Sequence, residues 1–159
     1  MPIARKDIVR LESVMQADSG HYRARYARGM EHAGIYRVFT LWPDKLEEVE
    51  QVDGEWRENA IVFLEVNPRF FRSGYDKAQW LRRLKRAELS AAHAKRLREI
   101  LLTVVLGGGG VEFRQYCQLA PRVASKGLVS ALARLAKGSD PDVRRRAAWM
   151  SALIGSDTA

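Results

Sequence analysis

Four consecutive glycines, Gly107, Gly108, Gly109 and Gly110, constrain this chain more than any other feature. Glycine loses the most backbone freedom on folding, so four in a row end whatever helix precedes them. The segment before them has helical spacing: Ser90 is a good N-cap, and Ala94, Leu97, Leu101, Val104 and Val105 line one face through about Leu106. The segment after them breaks into short pieces. Residues 111–120 are predicted to form a short helix ended by Pro121, with further helices over 128–137 and 143–154. The last is the best signalled, with Asp140 as N-cap, Pro141 at the first helical position and Asp142 in the first turn. Val143, Ala147, Met150 and Ile154 form its apolar stripe, with Arg144 and Arg145 on the far side. Arg146 falls at the stripe's edge, three residues before Trp149, where a stacking contact is expected. Residues 75–88 place Ala78, Leu81 and Leu84 on one face, with Trp80 flanking. The glycine run has no Gly-Lys-Ser/Thr ending and no strand–loop–helix setting, so it reads as a flexible connector rather than a phosphate loop.

The first half of the chain has a different texture. Ile8, Leu11, Val14 and Met15 give residues 5–17 a helical period, and Ser19 caps a second predicted helix through about Glu31, stopped by Gly34. Residues 35–42 are aromatic and β-branched and end at Pro43, which reads as a strand. Asp53-Gly54 is a hairpin signal, and residues 60–66 form a second apolar run of strand length closed by Asn67-Pro68. The expected fold class is therefore α+β and mostly helical. It is a single domain over 1–159, with helices over 1–34, a small antiparallel sheet at about 35–66, and helices over 75–155. The length of 159 residues fits one domain.

Charge is uneven. The chain has 27 Lys+Arg against 19 Asp+Glu, net +8, but residues 44–58 are net −5 while residues 69–98 are net +8 and residues 114–146 net +6. Arginine outnumbers lysine 20 to 7, and its planar fork suits bidentate phosphate or carboxylate contacts. A field of one sign favours encounter with a partner of the other, and nucleic acid is the commonest such partner because each neutralised phosphate releases counterions. The longest apolar run, residues 100–106, is too short to cross a bilayer, and charged residues come after the first few positions without a signal-peptide core. A cytoplasmic location and no membrane partner are expected.

Catalytic patterns are incomplete. His21, His32 and His93 form no short-spaced pair, and Cys117 has no Cys or His neighbour, so neither a disulfide framework nor a zinc motif is present and no metal or cofactor is expected. Cys117 lies in a helical pattern that turns its thiol inward, and no G-x-S-x-G occurs. Pro43-Asp44 with Glu65-Val66-Asn67 downstream resembles the restriction-endonuclease-type nuclease motif. That resemblance implies Asp44 and Glu65 as magnesium ligands, but Asn67 stands where the family has its lysine, and Lys77 is the only substitute in view. No catalytic residue is assigned, and an enzyme is not expected.

Two features point to binding. The segment Asn67-Pro68-Arg69-Phe70-Phe71-Arg72-Ser73-Gly74-Tyr75 interleaves arginines and aromatics, and Lys77, Arg82, Arg83, Lys85 and Arg86 come next. Such a mixture suits bases stacked on rings with the backbone held by cations, although Phe70 and Phe71 also suit core anchors. Residues 127–154 resemble one armadillo or HEAT-type repeat, through the Leu-rich first helix, the Ser-Asp-Pro-Asp-Val turn and the Arg-Ala-Ala-Trp second helix. That resemblance implies a protein-binding scaffold. The same residues also make an ordinary capped helical hairpin. The expectation is a non-catalytic basic protein docking on nucleic acid or a nucleoprotein assembly. Arg69, Arg72, Arg82, Arg83, Arg86, Arg96 and Arg98 would hold phosphates, and Phe71 and Tyr75 would stack. The alternatives are an adaptor, inhibitor or immunity-type module for an acidic protein and, remotely, a degenerate nuclease.

Overall fold

A computed structural model describes residues 4–17, 55–70 and 73–157. Among these residues there are seven helices: α1 (Arg5–Ala17), α2 (Glu55–Val66), α3 (Ser73–Arg86), α4 (Ala91–Gly107), α5 (Phe113–Val123), α6 (Lys126–Leu135) and α7 (Pro141–Asp157). No strand occurs among them, so the fold is all-helical there and the expected α+β class is overturned. Residues 60–66, expected to be the second strand, are the second half of α2. The predicted helix through Glu31, the strand at 35–42 and the Asp53-Gly54 turn lie outside the described residues.

The reason for the reversal is burial. Trp56, Ala60, Ile61, Val62, Phe63 and Leu64 are all buried, so α2 is apolar around most of its circumference and the 3.6-residue period disappears. A short apolar run of that kind cannot be told from a strand by periodicity alone. Asn67, with φ 52, ends α2 in the left-handed conformation, its N–H donating to the Phe63 carbonyl, and Pro68 prevents further helix.

The chain divides into two compact units, residues 1–77 and 78–159, with the boundary inside α3. In the first unit α1 packs on α2, contributing Ile8 and Leu11. Arg5 pairs with Glu65 at 3.6 Å. The main chain of Arg69 is held to α1 from both sides: its N–H donates to Glu12 Oε1 at 3.0 Å and its carbonyl accepts from Gln16 Nε2.

In the second unit α7 packs against α5, α6 and α4, and α4 packs against α5 and α6. Each of these helices has one buried stripe. On α7 it is Val143, Ala147, Met150 and Ile154, as the spacing predicts. Asp140 Oδ1 accepts from the N–H groups of Asp142 and Val143, Ser90 caps α4 through the His93 N–H, and Ser125 caps α6 through the Leu128 N–H. Trp80, expected at the flank of α3, is buried.

Two details depart from expectation. First, α5 runs through Pro121 to Val123. Proline lacks the N–H that the Cys117 carbonyl would receive in the i→i−4 pattern, yet only two further residues remain, so the lost bond is near the helix end. Second, the glycine run is a built turn rather than a loose connector. Gly108 has φ 82 and donates its N–H to Val104, and a Cβ on Gly109 would stand 2.7 Å from the Phe113 ring. A side chain at Gly107 would meet open space.

Candidate nucleic-acid interface

Helix ends explain where several arginines go. The last carbonyls of a helix have no partner within it. Arg98 on α4 donates to the carbonyl of Val123, the last residue of α5, at 3.0 Å, and Arg122 on α5 donates to the Ala87 carbonyl at 3.0 Å, just past α3. Arg146 on α7 donates through Nε to the Val105 carbonyl at 2.8 Å and through Nη2 to that of Leu106 at 3.5 Å, closing the end of α4. Cations at these ends also complement the helix dipole. Arg146 therefore serves α4, and the ring contact of Trp149 is with Phe113, edge-on at 5.5 Å between centroids and 60° between planes.

A second set of cations has no such task. Arg82, Lys85, Arg86, Lys95, Arg114, Lys126, Arg134, Lys137 and Arg144 have no hydrogen-bond or ion-pair partner among the described residues. They are spread over α3 to α7 and the α6–α7 turn, so their attraction is a property of the unit's field and not of one helix. Carboxylates in the unit are few. Glu112 is buried, Asp140 caps α7, and Asp142 pairs with Arg145 at 2.8 Å. Residues 78–159 hold fifteen bases against six acids, net +9.

The residues singled out by the sequence meet different fates. Arg82 and Arg86 are exposed on α3, and Arg83 and Arg96 are half-buried with partners of their own. Arg98 is taken by the Val123 carbonyl. Arg69 is exposed and Tyr75 is 58% exposed, both in the first unit. Phe71 and Arg72 lie outside the described residues. Sequence reasoning did not single out Trp149 as a base-stacking group, although it sits off the Val143–Ile154 stripe and that position alone marks it as outward-facing. It is 48% exposed.

The second unit also has an open groove of about 610 Å³ between α4, α6 and the α6–α7 turn. Its apolar lining is Leu102, Leu106, Ala131, Leu135 and Val143, and Arg134 and Asp140 are its charged lining residues.

Among the described residues, groups suited to catalysis are not gathered. No cluster of three or more His, Cys, Asp or Glu side chains that could hold a metal occurs among the described residues. Cys117 is fully buried and burial pushes its thiol up to about 12, so the nucleophilic thiolate is scarce near neutrality. Tyr116 is also buried; burial, and after it the charge of Glu112, hold its hydroxyl well above the ordinary range. For the nuclease resemblance, Glu65 sits on a helix rather than at a strand end and is paired with Arg5, Lys77 is buried, and Asp44 lies outside the described residues. Among the described residues no helix is long and apolar enough to cross a membrane. Comparison of the chain with protein-family models, curated proteins and solved structures found no match.

Proposed function

We propose that this chain is a non-catalytic binding protein whose C-terminal helical unit docks on nucleic acid or on a nucleoprotein assembly. The observation that carries the reading is the set of nine cations in residues 78–159 without a partner among the described residues, in a unit of net +9. A phosphate backbone is the polymer that such a field attracts most strongly, through release of its counterions. Arg82, Arg86, Arg114, Arg134 and Arg144 are assigned to phosphate contact, because the guanidiniums of Arg98, Arg122 and Arg146 already close helix ends.

A salt titration tests the reading. Fluorescence polarisation of a labelled mixed-sequence oligonucleotide should show affinity falling steeply between 50 and 200 mM salt, with a log–log slope of about −0.7 to −0.9 per phosphate contacted. Affinity that is absent at low salt, or that does not respond to salt, contradicts it.

A second reading, a protein-interaction module, is favoured by the apolar groove. Residues 126–140 beside it contain Lys126, Arg134 and Lys137 against Asp140, whose carboxylate caps α7, so the balance is net +2 and the occupant it fits is an acidic amphipathic helix of another protein. The helical-repeat resemblance of residues 127–154 belongs with this reading. Acidic amphipathic peptides selected from a displayed library should lose binding to a Leu106→Glu variant. Peptides that bind both forms equally contradict it.

A further inference from the structure

We infer that Trp149 is a base-stacking platform, and that the nucleic acid taken by the C-terminal unit is therefore single-stranded. This rests on the proposed docking of nucleic acid and narrows it. The unit has four aromatic side chains: Trp80, Phe113 and Tyr116 are buried, and Trp149 is half exposed. Of the four, Trp149 alone stands exposed.

The ring has one aromatic neighbour. Trp149 meets Phe113 in a T-shaped contact at 5.5 Å between centroids, and Phe113, at the start of α5, lies so close to Gly109 that a Cβ there would stand 2.7 Å from it. A ring braced by such a contact has less side-chain entropy to lose on binding. Along the same side of α7 stand Arg145, one turn before the ring, then Ala148 and Ala152, all exposed, with Ser156 beyond. Two alanines leave the indole standing above its surroundings, so a flat ring can approach it.

Arg145 is the cation on the ring's own side of α7, while Arg144 falls on another side of that helix and Arg114 is exposed on α5. Arg114 and Arg144 have no partner among the described residues, and Arg145 is paired with the exposed Asp142. An exposed aromatic ring in a unit of net +9 suits single strands, since every base has a π-face and the backbone needs only charge. In a duplex the bases are stacked on one another and offer no face, so a duplex would engage the cations alone. Exposed tryptophans also anchor protein partners. The net charge of the unit favours a polyanion, and an acidic polypeptide is the control that separates the two.

The test uses the full chain and two variants, Trp149→Ala and Trp149→Phe, with a dT oligonucleotide, a mixed-sequence duplex and poly-glutamate as probes. In wild type, the dT oligonucleotide should quench a tryptophan emission component that is missing in Trp149→Phe. Affinity for dT should fall roughly 5- to 150-fold in Trp149→Ala, less in Trp149→Phe, with duplex affinity unchanged within about twofold. An unchanged dT affinity in Trp149→Ala, or an equal loss for the duplex, overturns the stacking role while leaving nucleic-acid binding standing. Equal quenching by poly-glutamate marks the ring as a protein contact and overturns it too. Wild-type protein that binds neither nucleic acid removes the broader reading and this one with it.

Discussion

The two units of the chain use nearly the same number of bases, twelve in residues 1–77 and fifteen in residues 78–159, yet their net charges are −1 and +9. The difference lies in the acids, thirteen against six. Their cores differ as well. The first unit buries one helix, α2, over most of its circumference, whereas α4 to α7 each bury a single stripe and keep a polar side. A helix with a free side can carry cations without burying them, but the excess charge of the second unit comes from its shortage of acids, and that balance is why the proposed docking is assigned to it.

The sharpest way to break this contrast is to cut into α2. Phe63 is fully buried, and Phe63→Ala should cost about 3–5 kcal/mol in urea unfolding. A cost below about 1 kcal/mol would show that α2 is not a core element. Next in size is the division of the arginines by task. Arg146→Ala should cost about 1.5–3 kcal/mol, because it removes charged donors from the end of α4, whereas Arg144→Ala on the same helix should stay within about 0.5 kcal/mol. Equal effects would erase the distinction between structural and free cations. The glycine turn offers a pair of similar kind. Gly108→Ala should destabilise by about 1–3 kcal/mol because its φ is positive, while Gly107→Ala should be neutral or stabilise by up to about 1 kcal/mol.

The smallest effect is a pH dependence confined to the second unit. Cys117 has its thiol raised by burial to about 12 from an ordinary value of 9.0, and Tyr116 is raised in the same direction. Both make the folded state prefer the protonated form. Their contribution is whole below the unfolded values and is lost as the pH climbs from about 9 toward 12, where the unfolded chain ionises first. The Tm should fall from about pH 8 to about pH 11, and fall less in Cys117→Val. Identical slopes in the two proteins would contradict a raised thiol.

How far the fold could be read from sequence tracks the same divide. Helix α7 is legible almost residue by residue, because Asp140, Pro141 and the Val143–Ile154 stripe each carry an independent signal. Likewise, Ser90 and the period of Leu97, Leu101 and Val104 disclose α4. In α2 the same period is erased by burial on nearly all sides, and Ala60-Ile61-Val62-Phe63-Leu64 then looks like a strand. Of the candidate site, the positive balance of the C-terminal half is plain in the sequence. Which arginines are engaged is not, since Arg98 and Arg146 close helix ends 25 and 41 residues away. Those partners are set by tertiary packing that no local pattern encodes.

Lysine modification in the presence and absence of a bound oligonucleotide tests the division between the units most directly. Lys95, Lys126 and Lys137 are exposed in the second unit, and Lys6 is exposed in the first. Bound oligonucleotide should protect lysines of residues 78–159 and leave Lys6 as reactive as in the free protein. Protection of Lys6 to the same degree, or no protection at Lys95, Lys126 and Lys137, would contradict it.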